Sequence, residues 1–179
     1  MALHIAFEKS ADCLFKKVVK ALAGPYIHVE LVISKDNVHT AYTAFMSETF
    51  SRTFQKDFNY SDDKHDYLSI PVSEEELYRI GLACEACVES KIPYNLADMA
   101  FCQLPMRHPT EHSLYESKSL FCSQAIVLLL RTSLEPNHKL HAALASVNSR
   151  TVTPTQLYNI LIPHCPTRTT NQVLHGPSP

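Results

Sequence analysis

The residue with the clearest chemical potential is Cys122, where a short polar stretch gives way to an unbroken apolar run. Residues 118–124 are KSLFCSQ and residues 125–130 are AIVLLL. The apolar run predicts a buried helix whose first turn contains the cysteine. The positive end of a helix dipole lowers a thiol pKa, and a buried helix holds the sulfur still. This context is therefore typical of a nucleophilic thiolate.

A nucleophilic thiol needs a base, and His28 is the best candidate for that role. It lies in a β-rich run over residues 26–33, between Ile27 and Val29. Glu30 follows two residues later, so the two side chains project from the same face of a strand. A carboxylate there can orient the imidazole while the other ring nitrogen exchanges a proton with the thiol.

A second histidine is an alternative orienting group. A turn predicted at residues 34–37 joins the His28 strand to a second strand over residues 38–45. Simple hairpin pairing around that turn places Thr43 opposite His28 and Ala41 opposite Glu30, and it directs His39 to the same face. Spacing alone leaves the third member of the site open between Glu30 and His39.

The remaining pattern predicts one α+β domain that positions these residues. Further strands are expected near residues 3–7, 49–54 and 66–72. Helices are expected at residues 10–22, 73–90, 96–102 and 136–147, and from residues 122 and 153 onward. Ser73 begins a capping box with Glu76. The domain is expected to span residues 1–163, followed by a mobile, Pro- and Thr-rich tail at 164–179.

Five segments in a fixed order resemble a known family. They are IAF at residues 5–7, GPYIHVELV at 24–32, PYN at 93–95, FCSQ at 121–124 and VTPTQLY at 152–158. Together they resemble the circularly permuted NlpC-type branch of the papain-like thiol hydrolases, over roughly residues 3–162. In that branch the histidine strand precedes the cysteine helix, the reverse of papain.

The resemblance implies a fold and a set of roles. The fold would be an antiparallel sheet packed against helices, one of which carries the nucleophile. Cys122 would be the nucleophile, His28 the general base and Glu30 the third member. The residues matched to positions bordering the oxyanion or substrate are Tyr94, Ser123 and Gln124. Members of the family usually have an aspartate where Asn95 stands and a glutamate where Gln124 stands.

The resemblance also limits the substrate class. The family contains peptidases and amidases, and relatives such as lecithin:retinol acyltransferase move acyl chains between lipids. A peptide, amide or acyl-lipid substrate is therefore expected, with hydrolysis favoured over acyl transfer and no cofactor or metal. The absence of a hydrophobic C-terminal anchor favours a peptide or amide.

Composition excludes several other classes. The chain has 16 basic and 18 acidic residues, so no basic surface predicts nucleic acid as a partner. No apolar run reaches 18 residues and no signal peptide is visible, which predicts a cytoplasmic protein without a transmembrane segment. The six cysteines mostly fall in apolar helical contexts and are expected to be reduced thiols.

A non-catalytic interaction module is the second functional hypothesis. The first helix has a basic amphipathic pattern that can dock a membrane surface or a partner. A simpler interpretation, a core face with solvated lysines, is favoured. The residues concerned are Leu14, Phe15, Val18, Val19, Lys16, Lys17 and Lys20.

Zinc binding is a further alternative, and it yields a prediction. Cys84 and Cys87 have ligand-like spacing, and Cys102, His108 and His112 follow them. However, both cysteines of the pair fall on the apolar stripe of a capped helix, and a second such pair is missing. Elemental analysis of the purified protein should therefore find far less than one zinc per chain. Stoichiometric zinc that is released only by unfolding would contradict the core-packing interpretation.

Overall fold

The protein is described by a computed structural model covering residues 1–12, 14–36, 38–44, 49–55, 64–95, 99, 113–114, 118–165 and 168–169. The strands are β1 (Ala2–Glu8), β2 (His28–Lys35), β3 (Val38–Thr43), β4 (Ser51–Gln55), β5 (His65–Ile70) and β6 (Arg168–Thr169). The helices are α1 (Leu14–Ala23), α2 (Glu74–Glu89), α3 (Cys122–Ser133), α4 (Lys139–Ala145) and α5 (Pro154–Leu161), with a 3₁₀ turn at Ile162–His164.

The strands form one antiparallel sheet in the order β4-β3-β2-β1-β5-β6. β1 lies inside the sheet, where Phe7 pairs with Val29 of β2 and Asp66 of β5. The α+β class predicted from the sequence is therefore confirmed.

The two faces of the sheet have different chemistry. On one face, Leu3, Ile5 and Phe7 of β1 are buried in the same apolar cluster as α2 and α3. On the other, Ala6 belongs to a small separate cluster and its β2 partner is Glu30. Because side chains alternate along each strand, His28 and Glu30 lie on this second, more polar face.

The α3 helix is the centre of the core. Ten of its twelve residues are buried, and it packs against β2, α2, α4 and α5. This burial on all sides is what the run AIVLLL predicts. Because the helix is enclosed, its first residue, Cys122, has a defined position in the core.

Side-chain caps define where two helices begin. Glu76 accepts a bond from the Ser73 N–H at 2.8 Å, and Ser73 Oγ accepts one from the Glu76 N–H at 3.1 Å. Thr153 and Gln156 form the same reciprocal pair at the start of α5, with Pro154 in its first turn. The capping box predicted at Ser73 is confirmed.

The predicted hairpin register is wrong by two residues. Val32 pairs with Ala41 and Lys35 with Val38, so the turn lies one residue later in the chain than expected. Asp36 has φ +49°, a left-handed conformation that Asp tolerates better than most residues, which favours the turn at this position. A shift of two residues preserves the faces of the strands, so His28 and Thr43 still project from the same side.

The expectation that α1 buries its apolar side is wrong for Leu14 and Val18. Leu14 is 79 % exposed and Val18 is 51 % exposed. Lys16 is turned towards the sheet, where it forms an ion pair with Glu8 at the end of β1, whereas Lys17 and Lys20 are exposed. The helix begins at Leu14, later than the predicted residue 10.

Some expectations fall outside the described residues. The predicted helix at 96–102 is described only at Met99, and the loop at 105–116 only at Ser113 and Leu114. Within the predicted tail, Arg168 and Thr169 pair with Leu68 and Tyr67 of β5, whereas residues 170–179 are not described. Among the described residues, no helix is both long and apolar enough to cross a membrane.

Substitutions at two glycines are expected to change the stability of the fold in opposite directions. Gly24 has φ +92°, and an added Cβ would lie 2.9 Å from Thr155 Oγ1, so Gly24→Ala should destabilise the fold by about 1–3 kcal/mol. Gly81 lies inside α2, and among the described residues an added Cβ would meet only Ile33 Cδ1, at 3.8 Å. Gly81→Ala should therefore stabilise by about 0.5–1 kcal/mol. Urea unfolding measures both variants, and equal effects would contradict the described junction between α1 and α5.

Candidate active site

Cys122 is the first residue of α3, and its surroundings hold that helix end in place. The residue is 2 % exposed. The first helical bond runs from the Ala125 N–H to the Phe121 carbonyl, so the N–H groups of Cys122 and Ser123 have no acceptor within the helix. The sulfur therefore lies at the positive end of the helix dipole.

Ser123 and Gln124 support this helix end. Ser123 is fully buried and donates to the Val152 carbonyl at 2.6 Å, which ties α3 to the segment before α5. Gln124 is buried and accepts from the Phe121 N–H at 3.4 Å. Both side chains are thus engaged in hydrogen bonds at the start of α3. That they border the oxyanion or substrate stays a prediction.

His28 is the first residue of β2, and its ring meets two groups on the polar face of the sheet. Its Nε2 lies 2.7 Å from Thr43 Oγ1 and 3.5 Å from Glu30 Oε1. His28 is buried, whereas the Glu30 side chain remains 22 % exposed. The predicted pair of His28 and Glu30 is therefore in contact, and Thr43 joins it.

The thiol of Cys122 also lies within hydrogen-bonding reach of the His28 ring. Burial acts to lower the pKa of His28, but the hydrogen bond and charge of Cys122, followed by those of Glu30, raise it to about 10. The ring is thus surrounded by groups that favour its protonated form. The structure brings together Cys122, His28 and Glu30, the three residues that the sequence identified as a triad.

His39 lies far from this group. It pairs with Ser34, and its Nδ1 is 2.7 Å from Ser34 Oγ. Ser34 is six residues beyond His28 along β2, which corresponds to about 20 Å. Glu30 is therefore the residue placed to orient His28, and the alternative assignment to His39 is wrong.

Tyr94 lies beside the segment that leads into α3. It forms a parallel bridge with Leu120, and the Asn95 N–H donates to the Leu120 carbonyl at 2.9 Å. The Asn95 side chain also donates to Ser119 Oγ at 2.9 Å. This short ladder brings the Tyr94 backbone close to the start of α3. Asn95 therefore binds the segment that leads into α3 through both its backbone and its side chain.

Two residues near the site, Glu8 and His65, were missed in the sequence. Glu8 is the Cα partner of both His28 and His65, so these three residues form one row across β2, β1 and β5. Burial lowers the pKa of His65, which also feels the charges of Glu8, Glu30 and His28. Thr43 was expected opposite His28, but its hydrogen bond to the ring was not predicted. Alternation marks the face of each residue, but only the strand order makes them neighbours.

The start of β2 is held by a separate polar and aromatic anchor. The Tyr26 hydroxyl donates to Asp66 at 2.5 Å, and Lys9 pairs with the same carboxylate at 2.9 Å. Tyr26 also packs against Phe7 and Tyr158, with ring centroids 5.4 and 4.5 Å away. Because Tyr26 is two residues before His28, this anchor limits movement of the histidine.

The zinc alternative can be examined only in part. Among the described residues, no three His, Cys, Asp or Glu side chains cluster as metal ligands. Cys84 and Cys87 are buried in the core, as the apolar stripe predicts, and burial raises the pKa of both thiols. Cys102, His108 and His112 lie outside the described residues. A surface cavity of about 490 Å³, lined in part by Glu76 and His138, includes none of the triad.

Comparison with known proteins adds no assignment: no family model, no curated protein and no solved structure matches the chain.

The effect of Glu30 on the pKa of His28 can be measured by substituting Glu30. Glu30→Gln removes a group that raises the pKa of His28, so that pKa should fall by about one unit or more in an NMR titration. The folded-state pKa exceeds the unfolded value of 6.5, so stabilisation from the protonated ring is complete below pH 6.5 and is lost as pH rises towards 10. Glu30→Gln should move that loss to lower pH.

A matched control is Glu85→Gln. Glu85 accepts from Tyr42 at 2.7 Å and pairs with Arg52, on a different part of the structure. This substitution should leave the His28 titration unchanged. An unchanged His28 pKa in Glu30→Gln would contradict the described contact.

Proposed function

We propose that the protein is a cysteine-dependent hydrolase of peptide or amide bonds, or of ester or thioester bonds, and that its domain is a circularly permuted papain-like domain of the NlpC type. The observation that carries the proposal is the contact between a helix-N-terminal thiol, Cys122, and a histidine, His28, whose ring is also held by Glu30 and Thr43. The order of the histidine strand before the cysteine helix supports the permuted assignment.

The two ring nitrogens of His28 have different roles in this proposal. Nε2 meets Thr43 and Glu30, so proton exchange with the thiol falls to Nδ1. A threonine hydroxyl can accept from Nε2–H and also donate to a carboxylate, so Thr43 can link His28 to Glu30. Glu30 then stabilises the imidazolium and fixes the ring orientation.

The reaction proceeds through a covalent intermediate. The Cys122 thiolate attacks the carbonyl carbon, and the N–H groups at the start of α3 stabilise the negative charge on the carbonyl oxygen. The bond to the leaving amine or alcohol breaks as His28 gives that group a proton. Water then attacks the thioester with His28 as base, releasing the acid and restoring the thiol.

The site has the electrostatic balance that this chemistry requires. Burial alone would favour a neutral thiol and a neutral imidazole. The protonated ring is instead supported by Cys122 and Glu30, which raise the pKa of His28 to about 10. A thiolate paired with an imidazolium is the reactive form of such a nucleophile. The buried Cys84 and Cys87, whose pKa values are raised by burial, have no such support in the core.

The experiment is site-resolved alkylation. Iodoacetamide at pH 7 should label Cys122 first among the six cysteines, as read by peptide mass spectrometry. His28→Ala should slow labelling of Cys122 roughly 10- to 100-fold, because the thiol loses its base and counter-ion. The difference should narrow at pH 9, where an ordinary thiol ionises without help.

His39→Ala is the matched control. Like His28, His39 is a buried histidine on the same hairpin, but it is bonded to Ser34 at the other end. In the His39→Ala variant, Cys122 should be alkylated at the wild-type rate. Equal labelling of all cysteines, or no effect of His28→Ala, would remove the catalytic proposal.

A further inference from the structure

The α1 helix exposes its apolar side. Leu14 and Val18 are one helical turn apart, so they lie on the same side, and they are 79 % and 51 % exposed. Single exposed apolar residues are ordinary at protein surfaces. Here, two of them form a strip along a short helix.

One lysine of α1, Lys16, is turned towards the protein, and Lys20 also contacts the segment before the helix. Lys16 Nζ lies 2.8 Å from Glu8 Oε1 and 3.3 Å from Asp12 Oδ1, and its side chain is only 20 % exposed. Lys20 Nζ donates to the Lys9 carbonyl at 3.0 Å. A helix on a water-exposed surface normally has the reverse orientation, with its apolar side on the core. The contacts of Lys16 and Lys20 therefore hold the apolar strip outward.

The charge of α1 identifies what covers this strip. The helix has three lysines and no acidic residue, although the whole chain has a net charge of −2. Lys17 and Lys20 are exposed. Aliphatic side chains that enter the acyl boundary, flanked by lysines that reach lipid phosphates, are the pattern of an interfacial helix. A symmetric contact between two copies would instead bring lysines against lysines.

We propose that α1 docks the protein on an anionic lipid surface. The geometry also locates that surface relative to the candidate active site. Lys16 contacts Glu8, and Glu8 is the Cα partner of His28 on the neighbouring strand, which corresponds to about 5 Å. Docking through α1 thus brings the lipid surface to the end of the sheet that contains His28. The docking does not depend on the reactivity of Cys122.

The test is sedimentation of the full chain with vesicles. The protein should bind vesicles of phosphatidylcholine that contain about 30 % phosphatidylglycerol, which gives a strongly anionic surface. It should bind pure phosphatidylcholine vesicles much more weakly. Binding should fall as salt is raised. Leu14→Asp and Val18→Asp should each weaken binding by about tenfold, because an aliphatic side chain leaves the lipid boundary and a negative charge enters it.

Leu82→Asp is the matched control. Leu82 lies on α2 and is 53 % exposed, close to the exposure of Val18. The Leu82→Asp variant should bind vesicles as the wild type does. Unchanged midpoints of thermal unfolding would show that all three variants remain folded. Failure of the wild type to bind anionic vesicles at low salt would overturn the proposal. Equal weakening by Leu82→Asp would do the same, as would self-association that Val18→Asp abolishes without any vesicle binding.

Discussion

The enclosure of α3 is the constraint on which the rest of the structure depends. An apolar helix cannot leave any side in water, so β2 covers one side and α2, α4 and α5 cover others. Polar groups then fix both ends of the helix. Ser123 is bonded to Val152 at the start, and Arg79 donates to the Ser133 carbonyl at 3.0 Å at the end. This packing fixes the position of Cys122.

The sheet separates stability from chemistry. Its helix-facing side contains the large apolar residues of β1, β2 and β5, whose burial stabilises the fold. The opposite side contains histidines, carboxylates and hydroxyls in neighbouring strands, including the row formed by His28, Glu8 and His65. Cys122 contacts this second group because it lies at the N-terminal end of α3, next to the beginning of β2. Changes in the polar row can therefore alter reactivity without removing core contacts.

Buried ionisable groups are tolerated only in partnership. A buried imidazole alone is driven toward its neutral form, and a buried thiol likewise. Around His28, the thiol and the carboxylate reverse that tendency, as the raised pKa shows. Cys84 is the contrasting case in the same protein. It lies in the core, where burial raises the pKa of the thiol further. The two buried cysteines therefore have different surroundings: Cys122 lies beside His28, whereas the charges that act on Cys84 add to the effect of its burial.

Much of the secondary structure follows from local pattern. The apolar run of α3, the capping residues of α2 and α5, and the alternation in β1 each depend on neighbours within a few residues. The pairing of His28 with Glu30 belongs to the same level, since residues two apart on one strand share a face. The hairpin register did not follow, because the turn can form at either of two adjacent positions with the same alternation.

The sequence by itself determined the elements, the faces of the strands and the three residues that the structure brings together. Only the tertiary structure decided the register across strands, which leaves His39 at the far end of the hairpin and Glu8 between two histidines. It also decided that α1 turns Lys16 towards the sheet and leaves Leu14 and Val18 exposed, although its pattern resembles that of a core helix. The physical reason is that periodicity defines the sides of an element, whereas the partner of each side depends on contacts between residues distant in the chain.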